Sequence, residues 1–296
     1  MSQLTLLDVT LRDGGNRVNF HFSDDALASI LKPLEHSGVD LVEIGYRNGA
    51  IRPVADIGRA GLCDASYISL CRGLVPTRKL AVMAHPQNLK PADIQELKAL
   101  GVSLLRLCVS RGKVNLIRPV IEWCKVEDLA VSINFIHASQ YSEQEMDEVV
   151  EVAASQLPDM IYFADSNGSL TPPRVQNIYQ KYVARYDIAF GFHAHDNIGL
   201  AQANALSALE AGASYIDASL AGMGKGIGNL RTEFFIAYLE AIKQSNYTLL
   251  PLLKASNFIR KQFSTDALGI DMDEFTRGIY DLSTAEMSAL AKKACA

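Results

Sequence analysis

Thr10-Leu11-Arg12-Asp13-Gly14-Gly15 near the start of the chain and Gly191-Phe192-His193-Ala194-His195-Asp196 far downstream are two fragments of one chemical pattern. His193 and His195 stand two apart at the end of an apolar run, Ile188-Ala189-Phe190-Gly191-Phe192, that reads as a strand. Side chains alternate across a strand, so both imidazoles face the same way. Two neutral imidazoles and one carboxylate, with coordination positions left open, suit catalytic Mn, Mg, Zn or Fe. A lone His-x-His is equally well a core or surface pair. The elements lying between the two fragments therefore decide the matter.

Those elements alternate. Strand-like runs occur at Leu4 to Leu11, Val39 to Tyr46, Lys79 to Ala84, Ser103 to Val109, Val131 to Ile136, Met160 to Ala164, Ala189 to His193 and Tyr215 to Ser219. Helical patterns separate them, with start signals at Ser23 before Asp24-Asp25, Ser142 before Glu143 to Glu145, and Thr171 before Pro172-Pro173. Gly38, Gly101 and Gly212 follow helical runs where a left-handed C-cap is needed. Eight βα units in series predict an α/β fold of the closed (β/α)8 TIM-barrel type. A doubly wound sheet is disfavoured because no Gly-x-Gly-x-x-Gly follows the first strand.

A barrel of this type carries its site at the C-terminal mouth, on the strand ends. Arg12 and Asp13 are expected at the end of strand one, Glu43 late in strand two, and His193 and His195 at the end of strand seven. Gly222-Met223-Gly224-Lys225-Gly226-Ile227-Gly228-Asn229 comes after strand eight. Closure makes strands seven, eight, one and two neighbours, so residues distant in sequence meet at one mouth. The barrel is expected over residues 1–244 and a helical extension over 245–296, with helical pieces at Leu249 to Phe263, Asp273 to Ile279 and Thr284 to Cys295. Packing under or beside the barrel is the simplest role for that extension. Capping the mouth, pairing in a homo-oligomer or docking a partner enzyme are its alternatives.

Composition excludes several classes. With 296 residues, 49% hydrophobic and 21% charged, the chain can bury a large core. A net charge of −5, a pI near 5.7 and no basic run argue against nucleic acid and anionic membrane as partners. Cys63, Cys71, Cys108, Cys124 and Cys295 are odd in number and lack metal-type spacing, which suits reduced thiols of a cytoplasmic protein. Met1-Ser2-Gln3-Leu4 enters a strand directly, with no signal-peptide pattern, and no apolar stretch is long enough to span a bilayer.

Four motifs now stand in order: Asp8-Val9-Thr10-Leu11-Arg12-Asp13-Gly14; Val42-Glu43-Ile44-Gly45; His193-Ala194-His195-Asp196-Asn197 with Gly199-Leu200-Ala201; and Gly222-Met223-Gly224 through Gly228-Asn229 to Glu233. Through them the chain resembles the DRE-TIM metallolyases over Leu4 to Glu240. That superfamily includes 4-hydroxy-2-oxovalerate aldolases, 3-hydroxy-3-methylglutaryl-CoA lyases, and 2-isopropylmalate and citramalate synthases, and the first motif is most like the aldolase form. The resemblance implies that Asp13, His193 and His195 ligate a divalent ion, Mn2+ or Mg2+, with Asn229 approaching it directly or through water. It implies that Arg12 holds an enolate oxygen and that Glu43 orients Arg12. It further implies a carbon–carbon lyase acting on or forming a 2-oxo acid, with the metal as Lewis acid and the enolate stabilised by charge.

The chain departs from the family where a base is required. The aldolases carry a histidine three residues after the metal aspartate, and Asn16 stands there instead. An amide can orient substrate but cannot exchange a proton near neutrality. His21 is the nearest substitute, with Tyr46 and His85 as further candidates. The Gly-Glu-Gln signature of the acyl-CoA-condensing synthases is also absent, since Gly14 leads into Gly15-Asn16. Arg106, inside a strand of leucines, must meet a substrate carboxylate or an ion-pair partner. Lys225, in the glycine-rich loop, is a candidate for an anionic group or a simple surface lysine. The aldolase-type lyase is the leading expectation. A Claisen-type synthase using an acyl thioester and a scaffold barrel without activity are its alternatives, and the retained Arg12, Asp13, Glu43, His193 and His195 argue against the scaffold.

Overall fold

The computed structural model describes residues 4–50, 54–263 and 271–294, so Cys295 and the first three residues lie outside the described part. Eight parallel strands close into a barrel in sequence order: β1 Thr5–Asp8, β2 Leu41–Arg47, β3 Lys79–Ala84, β4 Val102–Val109, β5 Ala130–Phe135, β6 Met160–Asp165, β7 Ala189–Ala194 and β8 Tyr215–Ala218. A helix comes after each strand: α1 Asp24–Ser37, α2 Ala65–Leu74, α3 Pro91–Ala99, α4 Ile117–Val126, α5 Glu143–Ser155, α6 Pro172–Arg185, α7 Ala201–Glu210 and α8 Thr232–Ala241. The expected (β/α)8 barrel is present. Among the described residues no helix is long and apolar enough to cross a membrane.

Local chemistry accounts for the helices. Ser23 Oγ accepts the Ala26 N–H, and Ser142 and Glu145 form a reciprocal capping box. Thr171 makes no side-chain cap, so α6 begins on its prolines alone. Gly38, Gly101 and Gly212 all adopt positive φ (84°, 80° and 102°), as helix ends turning into strands require. In α1 the buried residues Leu27, Ile30, Leu31 and Leu34 keep the helical period and pack on the strands.

Inside the barrel, two-residue steps build layers. The lower layer is apolar, with Leu7, Leu41, Ala81, Leu104, Met160 and Tyr162. Higher inward positions on the same strands are polar: Glu43 above Leu41, Arg106 above Leu104, and Asp217 above Tyr215. Strand β2 carries an irregularity between Glu43 and Tyr46, at Gly45 with φ 152°. Glu43 and Tyr46 are three apart and would face opposite ways in a regular strand; the bulge turns both inward.

Strand β1 ends earlier than its apolar pattern suggests. It stops at Asp8, and Thr10–Asp13 form a turn in which the Asp13 N–H donates to Val9 O at 2.8 Å. Asp8 anchors that turn: its carboxylate accepts the Thr10 N–H at 3.0 Å and the Thr232 hydroxyl at 3.2 Å. Burial, opposed by those hydrogen bonds and reinforced by Glu233, pushes its carboxyl up to about 7.

Beyond α8 come α9 Leu249–Phe263, α10 Met272–Tyr280 and α11 Thr284–Ala294. Helix α9 lies beside the barrel against α1 and α8, burying Leu252, Ala255 and Ile259. Helix α10 goes to the mouth. Its buried Arg277 donates to Asn167 Oδ1 and the Ser166 carbonyl, and its Glu274 meets Asn197. Asp281, just past α10, accepts from Asn167 and Ser169 of the loop after β6. The extension thus both packs beside the barrel and caps part of its rim.

Two substitutions test these local devices. In Gly45→Ala a Cβ would collide with the Ala60 carbonyl oxygen in a conformation L-residues avoid, so a loss on the order of 3 kcal/mol is expected. Thermal melting should show a drop of about 6–12 °C, and a wild-type melting temperature would disprove the bulge's role. Asp8→Asn tests the buried carboxyl. A raised folded pKa makes ionised Asp8 unfavourable, a cost that grows as pH rises from the unfolded value near 3.8 and is complete above about 7. The variant's melting temperature relative to wild type should therefore be higher at pH 8 than at pH 5, and no such difference would show that Asp8 carries no folding-linked proton.

Candidate active site

The loop after β1, the end of β7 and the loop after β8 bring three metal-type donors together. Donor atoms of Asp13, His193 and His195 all lie within 4.8 Å of one another, and all three residues are buried. His193 is the inward residue two steps above Gly191, where the Tyr162 ring occupies the space a side chain would need. His195 lies just past β7 in an isolated bridge with Asn229. The two imidazole rings are 5.0 Å apart and nearly perpendicular.

Their tautomers are set by what the other nitrogen touches. His193 Nδ1 sits 3.1 Å from Asp217 Oδ2, and its Nε2 is buried with no partner. His195 Nδ1 donates to the Lys225 carbonyl at 3.1 Å, which leaves Nε2 as the lone-pair nitrogen, 3.9 Å from Asp13 Oδ2. Burial, only partly offset by Asp13, pushes His195 down to about 3, so it is neutral. Burial alone would raise Asp13, but Arg12, His195 and His193 overcome it and hold the carboxyl below the usual range. An ionised carboxylate, the neutral His195 imidazole and the orphaned His193 Nε2 fit a divalent cation. Asn229 donates Nδ2 to Asp13 Oδ2 at 2.8 Å, while its buried Oδ1 has no partner and is available as a further oxygen donor.

An arc of alternating charge supports these donors. Arg12 donates to Asp13 Oδ1 and to Glu43 Oε2, each at 2.6 Å. Arg106 NH1 lies 3.1 Å from Glu43, its NH2 donates to Asp217 Oδ2 at 2.7 Å, and its guanidinium stacks over Tyr162 at 4.4 Å. Fully buried, Arg106 is ion-paired with Glu43 and Asp217, and it also lines the cavity above them. Glu43, as expected, contacts Arg12.

Above the arc lies a cavity of about 190 Å³ lined by Arg12, Asp13, Tyr46, His193, His195 and residues of β3 to β6. Asn16 lines its rim and donates Nδ2 to the Asp13 carbonyl at 2.9 Å. Lys225 contributes more through its backbone than expected. Its N–H donates to Asp13 Oδ2 and its carbonyl fixes His195, and the residue lines the cavity.

His21 does not come to the mouth. Phe20 has φ 63° and lays its ring against Gly15 and Gly61, which turns His21 outward to the Asp56 carbonyl at 2.8 Å. Half exposed and absent from the cavity wall, His21 is not placed to serve as the base. His85 and Tyr46 are at the cavity, stacked on each other at 5.7 Å. Sequence reasoning missed His137, which also lines it. The available signal was its place one residue beyond the strand pattern that ends at Ile136.

The HMGL-like family model matches residues 3–259. Among curated relatives, oxaloacetate decarboxylase of Mycobacterium tuberculosis is 28% identical over 96% of this chain and 84% of its own length. 4-Hydroxy-2-oxovalerate aldolase 2 of Rhodococcus jostii is 30% identical over 87% of this chain and 75% of its own. Among solved structures, the N-terminal domain of a candidate aldolase from Bacteroides vulgatus superposes with a TM-score of 0.84 at 25% identity, covering 97% of this chain and 96% of that one. The carboxyl transferase domain of Rhizobium etli pyruvate carboxylase shares the fold, with a TM-score of 0.80 at 16% identity, covering 99% of this chain and 53% of that one. With its barrel, its donor set and these relatives, the chain belongs to the HMGL-like family of the DRE-TIM metallolyases and is a carbon–carbon lyase.

Proposed function

We propose that this enzyme is a divalent-metal-dependent lyase of aldolase type that cleaves or forms a 2-oxo acid through an enolate held by Arg12. The carrying observation is the meeting of Asp13 with two imidazoles, the His193 Nε2 without a partner and the His195 Nε2 facing Asp13, directly beside the Arg12 guanidinium. Asp13, His193, His195 and the Asn229 amide oxygen would hold Mn2+ or Mg2+, which supplies Lewis acidity toward the 2-oxo group. Arg12 is kept charged and oriented by Glu43 and Asp13, so its planar fork can receive the developing oxyanion. Asn16 at the rim orients substrate, and the Lys225 side chain offers a cation to a carboxylate. Four buried, unpaired cysteines (Cys63, Cys71, Cys108 and Cys124) support a reducing, cytoplasmic setting.

A second reading is decarboxylation of a 2-oxo acid bearing a carboxylate on C3. The observation in its favour is Asn16, since loss of CO2 generates the enolate without removing a hydroxyl proton. Both readings share the metal, Arg12 and the enolate. The cavity suits a small oxo acid, which disfavours an acyl-thioester condensation within it.

Purified wild-type protein should contain one divalent ion per chain by elemental analysis, and Asp13→Ala and His195→Ala should lose it while keeping the wild-type circular dichroism. Undiminished metal in both variants would remove the site. Arg12→Lys should retain the metal yet lower turnover of an identified 2-oxo acid substrate by on the order of 10²–10³, the usual cost of an oxyanion donor. Near-normal turnover in that variant would reduce Arg12 to a structural role.

A further inference from the structure

The cavity contains a proton acceptor that occupies neither the Asn16 nor the His21 position. His137 lies just past the end of β5, the strand diametrically opposite β1 in the eight-strand barrel, and it lines the cavity shared with Arg12, Asp13, His193 and His195. Its backbone is left-handed, with φ 55° and ψ 42°, a conformation that non-glycine residues adopt only when their surroundings enforce it. The enforcement is visible: the His137 N–H donates to Ser166 Oγ at 2.9 Å.

The imidazole is fixed as well. His137 Nδ1 lies 3.1 Å from Asn167 Oδ1. The Asn167 amide cannot be reversed, because its Nδ2 donates to the Asp281 carboxylate at 2.8 Å and its Oδ1 accepts from Arg277 at 3.2 Å. The partner atom of His137 is therefore an acceptor, so Nδ1 carries the proton and Nε2 keeps its lone pair. Burial lowers the pKa of this histidine. Asn167 opposes that shift, Lys225 and Arg277 add to it, and Asp281 opposes it. Glu286 of α11 is a further charged group within electrostatic reach of it. The imidazole is neutral and ready to accept a proton near pH 7.

Resting on the lyase reading above, we propose that His137 Nε2 is the general base of aldol cleavage, held in its working tautomer by Asn167 and, through Asn167, by Arg277 of α10. With a 4-hydroxy-2-oxo acid, Nε2 takes the proton of the C4 hydroxyl. The O–H electron pair becomes the carbonyl of the departing aldehyde, and the C3–C4 pair becomes the enolate that Arg12 holds. The imidazolium then returns its proton to C3, so the products are an aldehyde and a 2-oxo acid with no further reactant. The C-terminal helices enter the chemistry by this route, because the residue that fixes Asn167 belongs to α10.

The decisive comparison pairs a reaction that needs a base with one that does not. Wild-type enzyme and His137→Asn, each with Mn2+, would be assayed for cleavage of 4-hydroxy-2-oxovalerate and for decarboxylation of oxaloacetate above the metal-only background. Asparagine tolerates the left-handed backbone, so the fold is expected to survive. The expected result is a loss of aldol cleavage on the order of 10²–10⁴ with decarboxylation retained, which also certifies an intact metal site. The acid limb of the wild-type kcat/KM profile for cleavage, placed below pH 6.5 by burial of His137 and its cationic neighbours, should vanish from the residual activity. Equal loss of both reactions, or undiminished cleavage, would overturn the base assignment. A wild-type enzyme that decarboxylates but never cleaves the hydroxy acid would overturn it too, while leaving the lyase reading standing. Inactivity of the wild type on both substrates would overturn the lyase reading itself and, with it, the role of His137.

Discussion

One continuous run of charges governs this molecule. Asp13, Arg12, Glu43, Arg106 and Asp217 alternate in sign around the upper barrel, and His193 ends the run, so that the turn after β1 and strands β2, β4, β7 and β8 are linked side chain to side chain. Each member is buried, so each charge would be costly alone; desolvation of a single unpaired ion outweighs most packing gains. Placed together, every carboxylate has a guanidinium and every guanidinium has two carboxylates. The arrangement contributes little net stability by itself, because its Coulombic gain is set against desolvation. What it contributes is orientation. Asp217 turns His193 so that Nε2 looks into the cavity, and Glu43 turns Arg12 so that its fork lies beside Asp13. The same run explains why an arginine stands among the leucines of β4: without Arg106 the carboxylates of Glu43 and Asp217 would face each other unscreened.

The charges also need a floor and an irregular wall. The apolar layer below them, from Leu7 to Tyr162, keeps water from reaching the ion pairs from the lower end. The bulge at Gly45 lets one strand supply both Glu43 to the ion pairs and Tyr46 to the cavity, which a regular period-two strand could not do. Order at the mouth comes from hydrogen bonds made by loops. Asp8 pins the turn that carries Arg12 and Asp13, and the Lys225 backbone ties Asp13 to His195 across the gap between the loops after β1 and β8.

The fold was legible because period-two apolar runs and capped helical stretches obey local rules. Ser142 with Glu145 and the three positive-φ glycines are cases where nearest neighbours settle the outcome. The meeting of Asp13, His193 and His195 was legible for a different reason: a (β/α)8 barrel sends strand ends to one mouth, so sequence order alone predicts it. What escaped was everything decided by side-chain direction on loops. Arg106 could be assigned to a substrate or to an ion pair only once Asp217 and Glu43 were seen beside it. His21 looked serviceable by distance along the chain, yet the positive φ at Asn19 and Phe20 sends it outward. His137 was signalled only by its place just beyond the β5 pattern; its orientation depends on Asn167 and on Arg277, which lie far along the sequence.

These misses share a physical cause that bears on how the site is completed. A barrel mouth built on strand ends is rigid at its base and open at its rim, so groups that must act on the far end of a substrate need support from outside the barrel. Here that support is α10. Arg277 is almost wholly buried although it belongs to a helix whose Met272, Ile279 and Tyr280 are exposed, and its guanidinium is shared among Glu274, the Leu282 carbonyl, Asn167 and Ser166. An arginine buried with that many acceptors holds its partners in place more firmly than a loop backbone could. The Asp281 carboxylate accepts from Ser139, Asn167 and Ser169, tying the loops after β5 and β6 to the same point. The metal side of the cavity is thus fixed by the barrel itself, and the opposite side by a helix added after it.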